Sequence, residues 1–415
     1  MKLARILAFL FAMAVIASCA LAAVMSAEAQ KQHSEPLMLF GVDEAEVEEV
    51  ARGVLANELM RYLRAAYLDE EIDCFSPGEL KEIARSYPHY PRQIADSAGR
   101  IVTIYRPVER IVVLNGDVAE AIRVLGAVDR IVGITESVRD ASVFFPTLSS
   151  ERESVGSWYS PDIEKTLTLN PDAVFAYGEW PDSENLEDKL PPTIAVIRLD
   201  FFKPETLRTE MQQLGYVLDE NASDYLQWHD NYLDMIRDKV SGIAEDEKPL
   251  VFLDKSGEES TKERKTYTRE SGGISTLCEL ACGENIAAEL EGAYPEVDLE
   301  WILKHNPDVI VGLSNNGGYD TDDESAMEAE YERLIGLPGL DNVTAVEDER
   351  VYIVDSSVPF APGYPIGLAY VAKWLYPTEF AEFEPHAMHQ EYVDTFCGID
   401  FDVTEHGVFV YPAME

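Results

Sequence analysis

The sequence predicts an α/β protein in which a small helical module precedes two lobes, and one long helix joins those lobes. Segments rich in β-branched residues alternate with amphipathic segments, which is the pattern of parallel sheets with helical crossovers. A helix–turn–strand sequence occurs twice, as SPDIEKTLTLNPDAVFAYG from Ser160 and as EVDLEWILKHNPDVIVGLS from Glu296. A single long amphipathic segment separates the two α/β series. These three observations define the fold class.

The composition is that of a folded, strongly acidic protein. The chain has 415 residues, enough for two or three domains, with 46% hydrophobic and 27% charged residues. It carries 33 Lys and Arg against 77 Asp and Glu, a formal net charge of −44. Such a surface repels phosphate backbones and anionic lipid, so we expect no nucleic-acid partner.

Residues 1–29 are predicted to be an export signal. Basic residues precede the apolar run Ile6–Ala17, which is too short to span a bilayer comfortably. The sequence Ile16-Ala17-Ser18-Cys19 resembles a lipobox, in which Cys19 would be lipidated, whereas Ala27-Glu28-Ala29 is an ordinary cleavage site. We expect the mature protein on the extracellular face of the cell membrane, either lipid-anchored at its N-terminus or free.

Residues 30–93 are predicted to form a small helical module, with a second helix that begins near Ser76-Pro77. The stretch LDEEIDCFSPGELKEIARSY resembles one loop–helix unit of a dockerin-like module. Only Asp69 and Asp73 remain of its acidic calcium ligands, so we expect no calcium there. The cysteines beyond Cys19 permit disulfides in an exported chain, but their spacing does not define a pairing.

The first lobe is predicted to span residues 94–221. A small hairpin opens it, and strands and helices then alternate. The predicted elements are a strand at Ile111–Leu114, a helix at Val118–Leu125, a strand at Ile131–Ile134, a helix at Asp162–Leu169, strands at Ala173–Ala176 and Thr193–Ile197, and a helix at Pro204–Leu214.

The interlobe helix is predicted within residues 222–247, because large apolar residues recur there at three- and four-residue steps from Tyr225 to Ile243. The second lobe follows at residues 248–376, and residues 377–415 form a C-terminal tail. The predicted elements of the second lobe are a strand at Leu250–Leu253, a helix at Ile274–Ala281, the second corner at Asp298–Val311 and a strand at Val351–Val354.

Three motifs occur in order: PVERIVVLNGDVAEAIRVLG, then VGSWYSPDIEKTLTLNPDAVFAYG, then DLEWILKHNPDVIV. Together they resemble the ABC-transporter substrate-binding proteins for ferric siderophores, haem and cobalamin, the class III periplasmic binding proteins. The resemblance covers residues 100 to 376, and the tail looks like one seen in methanogen members of the group. It implies two Rossmann-like lobes bridged by a rigid helix, a ligand in the cleft between them, and a permease dimer with its ATPase as partner.

The resemblance also gives the repeated corner a function. It implies that Glu164 and Glu300 dock onto arginines of the two permease subunits, as bidentate carboxylate–guanidinium pairs. The alternative is that each glutamate favours the N-terminus of its helix through the backbone dipole. The two interpretations are compatible.

Candidate ligand contacts lie in the loops after the strands, because ligands of open α/β sheets bind at the carboxyl ends of strands. By resemblance, Trp158 and Tyr177 occupy the positions of aromatic residues that flank the ligand in cobalamin-binding members. Aromatic walls suit a large, flat, partly apolar ligand, although such a side chain also often caps a core, and Arg269 has acidic neighbours with which to pair. The full candidate set is Asn115, Trp158, Tyr159, Tyr177, Tyr267, Arg269 and Phe360.

We therefore expect the substrate-binding component of an ABC importer, acting as a monomer on a ferric siderophore, haem or a corrinoid. We expect no catalytic residue, no metal bound directly by the protein and no cofactor other than the iron or cobalt chelate that is its cargo. A sensory or structural surface protein is the alternative, because the N-terminal module and tail lie outside the resemblance. A chelatase-like cleft enzyme is less favoured, since the sequence has no nucleophile elbow, no Walker A loop and no GxGxxG after a strand.

Overall fold

Two five-stranded sheets organise the structure, a computed structural model that describes residues 75–87, 89–255 and 262–413. All of these residues lie within one compact unit, Asp73–Glu415. The strands are β1 (Arg92–Ala95), β2 (Ile101–Ile104), β3 (Ile111–Val113), β4 (Ile131–Ile134), β5 (Glu153–Ser154), β6 (Gly156–Ser157), β7 (Ser160–Pro161), β8 (Ala173–Ala176), β9 (Ala195–Arg198), β10 (Leu250–Asp254), β11 (Glu263–Lys265), β12 (Glu284–Asn285), β13 (Glu296–Asp298), β14 (Val309–Ser314), β15 (Val351–Asp355) and β16 (Val410–Tyr411).

Helices connect most of these strands. They are α1 (Pro77–Ser86), α2 (Gly116–Val124), α3 (Glu136–Asp140), α4 (Pro146–Glu151), α5 (Ile163–Thr168), α6 (Pro204–Leu218), α7 (Ser223–Val240), α8 (Ile274–Leu280), α9 (Leu299–His305), α10 (Ser325–Ile335), α11 (Thr344–Glu347), α12 (Tyr364–Leu375) and α13 (Pro385–Tyr392). Short 3₁₀ turns and one π-helical turn, Val393–Cys397, complete the chain path.

The predicted α/β fold class is confirmed. The first sheet has the strand order β5-β4-β3-β8-β9 and is parallel throughout. The second has the order β12-β10-β14-β15-β16, parallel except for its last strand, β16. The central strands are buried along their whole length, as expected where parallel strands are covered by helices on both faces.

The long helix between the lobes is α7, with Tyr225, Trp228, Ile236 and Val240 buried along one face. It ends at Val240, earlier than the predicted end, because Ser241-Gly242 follows and glycine is a poor helix former. Other element ends move by similar amounts. For example, α2 begins at Gly116 rather than Val118, and α6 continues to Leu218.

The segment after residue 376 is part of the core rather than an appendage. Its helix α13 and the π-helical turn pack against the interlobe helix, with the rings of Trp228 and Tyr392 5.1 Å apart and those of Tyr225 and Phe396 5.8 Å apart. Strand β16 then pairs with β15 at the edge of the second sheet. The residue boundaries given above for the lobes, the module and the tail stay predictions.

Little of the N-terminal module falls within the described residues. Helix α1 begins after Ser76, as predicted, and a capping box holds its first turn: Ser76 Oγ accepts from the Glu79 amide, and Glu79 Oε2 accepts from the Ser76 amide at 2.9 Å. The predicted signal segment, Cys19 and the two acids of the degenerate dockerin-like loop, Asp69 and Asp73, lie outside the described residues, so the expected absence of calcium stays a prediction.

Candidate functional site

The two repeated corners have matching geometry. Helices α5 and α9 each begin after an aspartate whose carboxylate accepts a backbone amide of the first turn: Asp162 from Lys165 at 3.0 Å, and Asp298 from Trp301 at 2.8 Å. In both helices the glutamate is the second residue, so Glu164 and Glu300 occupy the same local position.

The Asn-Pro-Asp part of each corner has a structural function. Asn170 and Asn306 both adopt left-handed backbone conformations, with φ of 49° and 44°. The aspartate then bonds amides at the amino end of a neighbouring strand. Asp172 accepts from Glu109 and Arg110, and Asp308 accepts from Leu250. The fold therefore explains why Asn and Asp recur.

The glutamates are different. Glu164 and Glu300 are both exposed, and neither carboxylate forms a hydrogen bond or ion pair with any residue in the described part of the chain. Each glutamate lies in the first turn of its corner helix, on the carboxyl side of its sheet. The Asp162 amide donates to the carbonyl of Val155, which follows β5, and β13, directly before α9, pairs with β11 beyond the carboxyl end of β10. Both acids are thus exposed on the same side of the sheets as the loops that follow the strands, where another molecule can contact them.

An aromatic wall forms at the carboxyl edge of the first sheet. Trp158, in the hairpin between β6 and β7, meets the Tyr177 ring edge-on at 5.8 Å, and Tyr159 packs beside Trp158 at 5.3 Å. Phe202, which follows β9, extends the row, with its ring 5.8 Å from Tyr177. Trp158 is 39% exposed and Tyr159 59% exposed, so the wall has free apolar area. The structure thus brings three predicted residues together and adds Phe202.

Asn115 does not join this wall. Its Oδ1 atom accepts from the Val118 amide at 2.7 Å, which makes it the N-cap of α2, and the side chain is buried. Asp117, two residues later, reaches the wall instead: the Tyr177 hydroxyl donates to Asp117 Oδ2 at 3.1 Å. Burial, with the negative charge of Glu120 as the next cause, raises the pKa of Asp117 to about 7.

Arg198 supports the loop that carries Tyr177. Its buried guanidinium donates to the carbonyls of Tyr177 (2.8 Å) and Pro181 (2.6 Å), and it forms two bonds to Glu187 at 2.8 and 2.7 Å. Burial alone would raise the pKa of Glu187, but hydrogen bonds and charge from Arg198, with charge from Arg100, outweigh it and lower that pKa. The position of Tyr177 therefore depends on a buried ion pair.

The candidates in the second lobe have other neighbours. Tyr267 is buried edge-on against Tyr294, with Lys255 Nζ 4.7 Å from the Tyr294 ring. Phe360 packs directly against Gly273, in the turn before α8. Its Cε1 atom lies only 2.5 Å from the point that a Cβ atom on residue 273 would occupy, so only glycine leaves room for the ring. Among the described residues, no ring contact joins Tyr267, Tyr294 or Phe360 to the aromatic wall of the first lobe.

Arg269 is exposed and pairs with two acids, Glu279 at 3.0 Å and Glu289. Such a surface ion pair is the alternative to a ligand contact that the sequence indicated for Arg269. A role for Arg269, Tyr267 or Phe360 in ligand binding stays a prediction.

Metal and thiol chemistry gains no support. Across residues 75–87, 89–255 and 262–413, no group of three or more His, Cys, Asp or Glu side chains is placed to hold a metal ion. Cys278, Cys282 and Cys397 are free thiols, and burial raises the pKa of Cys397 to about 12. Over the same residues, no helix is both long and apolar enough to cross a membrane.

Two lobes, each with a matching corner that carries an exposed glutamate, and an aromatic wall at the carboxyl edge of the first sheet suit a receptor that binds a ligand in a cleft. The family described as periplasmic binding protein matches residues 111–358, and the chain belongs to that family.

Its relatives have several named ligands. The uncharacterized ABC transporter substrate-binding lipoprotein YvrC of Bacillus subtilis is 25% identical over 320 residues, covering 74% of this chain and 94% of that protein. The molybdate-binding protein MolA of Haemophilus influenzae is 25% identical over 338 residues, covering 74% and 90%. The molybdate-bound MolA structure matches with a TM-score of 0.60 and 21% identity, covering 75% of this chain and 99% of that one. A vitamin B12-binding protein of Yersinia pestis is 23% identical over 205 residues, covering 49% and 69%.

Proposed function

We propose that this protein is the extracellular substrate-binding component of an ABC importer, and that it captures a metal chelate in the cleft between its lobes. The observation that carries the proposal is the arrangement of two features. Each lobe has an exposed corner glutamate on the carboxyl side of its sheet, and the aromatic wall lies at the carboxyl edge of the first sheet. A receptor that docks through the side on which it holds its cargo can pass that cargo directly to a permease.

The aromatic wall supports a chelate as the cargo. Trp158, Tyr177 and Phe202 together offer ring faces and edges, which suit a ferric siderophore, haem or a corrinoid with large partly apolar surfaces. A tetrahedral oxyanion such as molybdate has no apolar surface to place on these rings. MolA and the vitamin B12-binding protein differ in named ligand, so the relatives leave both chemistries open and the wall favours the chelate.

The proposal also includes the partners, the oligomeric state and the anchor that the resemblance and the signal sequence led us to expect. The partners are a permease dimer and its ATPase, the protein acts as a monomer, and Cys19 provides the lipid anchor. Its relatives are transport proteins rather than enzymes, which supports a binder without catalytic residues. The dockerin-like module and the methanogen-like tail stay predictions.

Thermal unfolding against a ligand panel tests the cargo class. We expect the soluble chain to be stabilised by one of cobalamin, cobinamide, haem or a set of ferric siderophores, and not by molybdate or ferric citrate. A ligand at about one hundred times its Kd adds about 2.7 kcal/mol to the free energy of unfolding, which gives a clear rise in Tm. If molybdate alone raises the Tm, the cargo is an oxyanion and the chelate proposal is wrong.

Two substitutions test whether the ligand binds at the aromatic wall. Trp158→Ala should remove most of the ligand-induced rise in Tm, because it removes the most exposed end of the Trp158–Tyr177–Phe202 row. Tyr87→Ala is the matched control, since Tyr87 is an aromatic residue of similar exposure beyond α1, and it should leave the rise unchanged. Equal shifts in both variants would place the ligand elsewhere.

A further inference from the structure

The carboxylate of Asp117 lies at the aromatic wall and can accept more hydrogen bonds than it does within the described part of the chain. It is half-buried in the first turn of α2, and among residues 89–255 and 262–413 the Tyr177 hydroxyl is the one donor that reaches its carboxylate. A carboxylate has about four acceptor positions on its two oxygens. The Tyr177 bond occupies Oδ2, so the other oxygen can receive a donor from a ligand that rests on the wall.

The neighbouring acids already have donors. Asp200 accepts from the Gly178 amide and from Lys203 Nζ, both at 2.7 Å. Glu210 accepts from Ser97 Oγ at 2.5 Å and from the Phe201 amide at 2.6 Å.

Glu120, one turn further along α2, accepts from the Tyr392 hydroxyl and from the Gly363 amide at 3.2 Å. Lys203, the cation beside Phe202, is held by Asp200. Asp117 is therefore the acid at the aromatic wall whose carboxylate still has an oxygen that can accept a hydrogen bond from a ligand.

We propose that Asp117 makes the cleft select chelates that present N–H donors, O–H donors or positive charge, such as corrinoids with amide side chains, over chelates that present carboxylates. This inference rests on the proposed function, because it specifies the cargo of that same cleft. A donor on the ligand would satisfy the carboxylate, whereas a ligand carboxylate would place like charges together in a partly desolvated site. Such a site discriminates by roughly tenfold or more.

The selectivity should depend on pH. With its pKa raised to about 7 by burial and by Glu120, Asp200 and Glu210, Asp117 is mostly protonated at pH 6 and mostly ionised at pH 8. The affinity for a donor-rich or cationic chelate should therefore rise between these pH values, and the affinity for a carboxylate-bearing chelate should fall. Glu120 has a pKa of about 7 for the same reason of burial, so an Asp117 variant is needed to separate the two acids.

Two corrinoids test the proposal. Cobinamide carries amide side chains, and cobyrinic acid carries carboxylates at corresponding positions of the same cobalt-centred ring. We expect the wild-type chain to bind cobinamide at least roughly tenfold more tightly at pH 8, with a smaller preference at pH 6, measured as Kd by tryptophan fluorescence. In Asp117→Asn, which keeps the shape of the side chain, the preference and its pH dependence should both collapse.

Two further variants complete the test. Asp129→Asn removes an exposed acid that precedes β4, at the other end of the sheet, and should behave as wild type. Asp117→Ser also removes the carboxylate, and serine is well tolerated at the start of a helix, so this variant should lose the preference in the same way even if Asp117→Asn folds poorly.

The outcomes distinguish the two proposals. An unchanged Kd ratio in Asp117→Asn, or a wild-type preference for the carboxylate, overturns the role of Asp117 while the chelate function stands. Failure of both corrinoids, haem, a cationic ferric hydroxamate and an anionic ferric catecholate to bind the wild-type chain overturns the chelate function and this inference together.

Discussion

Reversing the charge at both Glu164 and Glu300 is expected to abolish transport while leaving ligand affinity unchanged. Removing one partner of an interfacial charge pair costs about 2–5 kcal/mol, and reversing its sign adds repulsion against the expected arginine. Two such sites lost together should lower uptake by roughly a hundredfold or more. Each single reversal should have a smaller effect, because one corner still docks.

The fold should tolerate these changes. Both glutamates are exposed and have no hydrogen bond or ion pair within the described chain, so the loss is limited to the helix-dipole contribution, about 0.3–1 kcal/mol at each site. The substitutions also leave the aromatic wall of Trp158, Tyr177 and Phe202 unchanged. Ligand-induced changes in Tm should therefore match those of the wild-type chain.

The measurement is ligand-dependent ATPase stimulation of the cognate permease and ATPase in proteoliposomes. A control with the same change in net charge reverses Glu136 on α3 and Glu332 on α10, which are exposed acids outside the corners. The control should stimulate normally. Full stimulation by the Glu164 and Glu300 double variant would contradict docking through the corners, and a loss of ligand affinity in it would show that the corners also take part in ligand binding.

The corners could be predicted from sequence because their determinants are local. The left-handed asparagine, the capping aspartate and the following β-branched run lie within one short stretch, and the stretch occurs twice. Buried parallel strands are similarly visible as continuous apolar runs. The interlobe helix was predictable from its apolar spacing. Its end was predicted too late because that spacing continues to Ile243, past the glycine at which the helix stops.

The candidate site was only partly predictable because its residues come together through tertiary structure. The loop Asn115-Gly116-Asp117 contains two polar side chains, and helix geometry decides that Asn115 caps α2 while Asp117 turns toward Tyr177. Phe202 lies four residues beyond the end of β9, and only the folded path of that loop brings its ring to Tyr177, so the sequence did not indicate it. A two-residue strand such as β16 has no periodicity to read, and its pairing with β15 exists only in the folded chain.

Replacing Arg198 by methionine is expected to destabilise the first lobe and to weaken ligand binding at the same time. The change removes both bonds to Glu187 and leaves the carbonyls of Tyr177 and Pro181 without their donor. Breaking a buried ion pair by deleting one partner costs about 3–5 kcal/mol, and some of that cost is offset here because Arg100 still contacts Glu187. We expect a loss of about 3 kcal/mol in the free energy of unfolding, measured by urea denaturation.

The same reasoning gives a pH dependence and a control. The folded-state pKa of Glu187 is below its ordinary value of 4.5, so the stabilisation by its ion pair is present at neutral pH and is lost as the pH falls through and below that value. The stability gap between wild type and Arg198→Met should therefore narrow in acid. Arg208→Met breaks an exposed pair with Asp230, in which both side chains are well solvated, and should cost less than about 1 kcal/mol.

Binding decides whether Arg198 positions the wall or only stabilises the lobe. If the guanidinium holds the loop at Tyr177, the Kd of Arg198→Met for the cargo should rise even under conditions where the variant is fully folded. Glu187→Gln provides the comparison, because it weakens the ion pair but leaves the bonds from Arg198 to the Tyr177 and Pro181 carbonyls in place. Lower stability with normal affinity in both variants would mean that the loop keeps its position without Arg198, whereas lost affinity in Arg198→Met alone would show that these two carbonyl contacts position Tyr177.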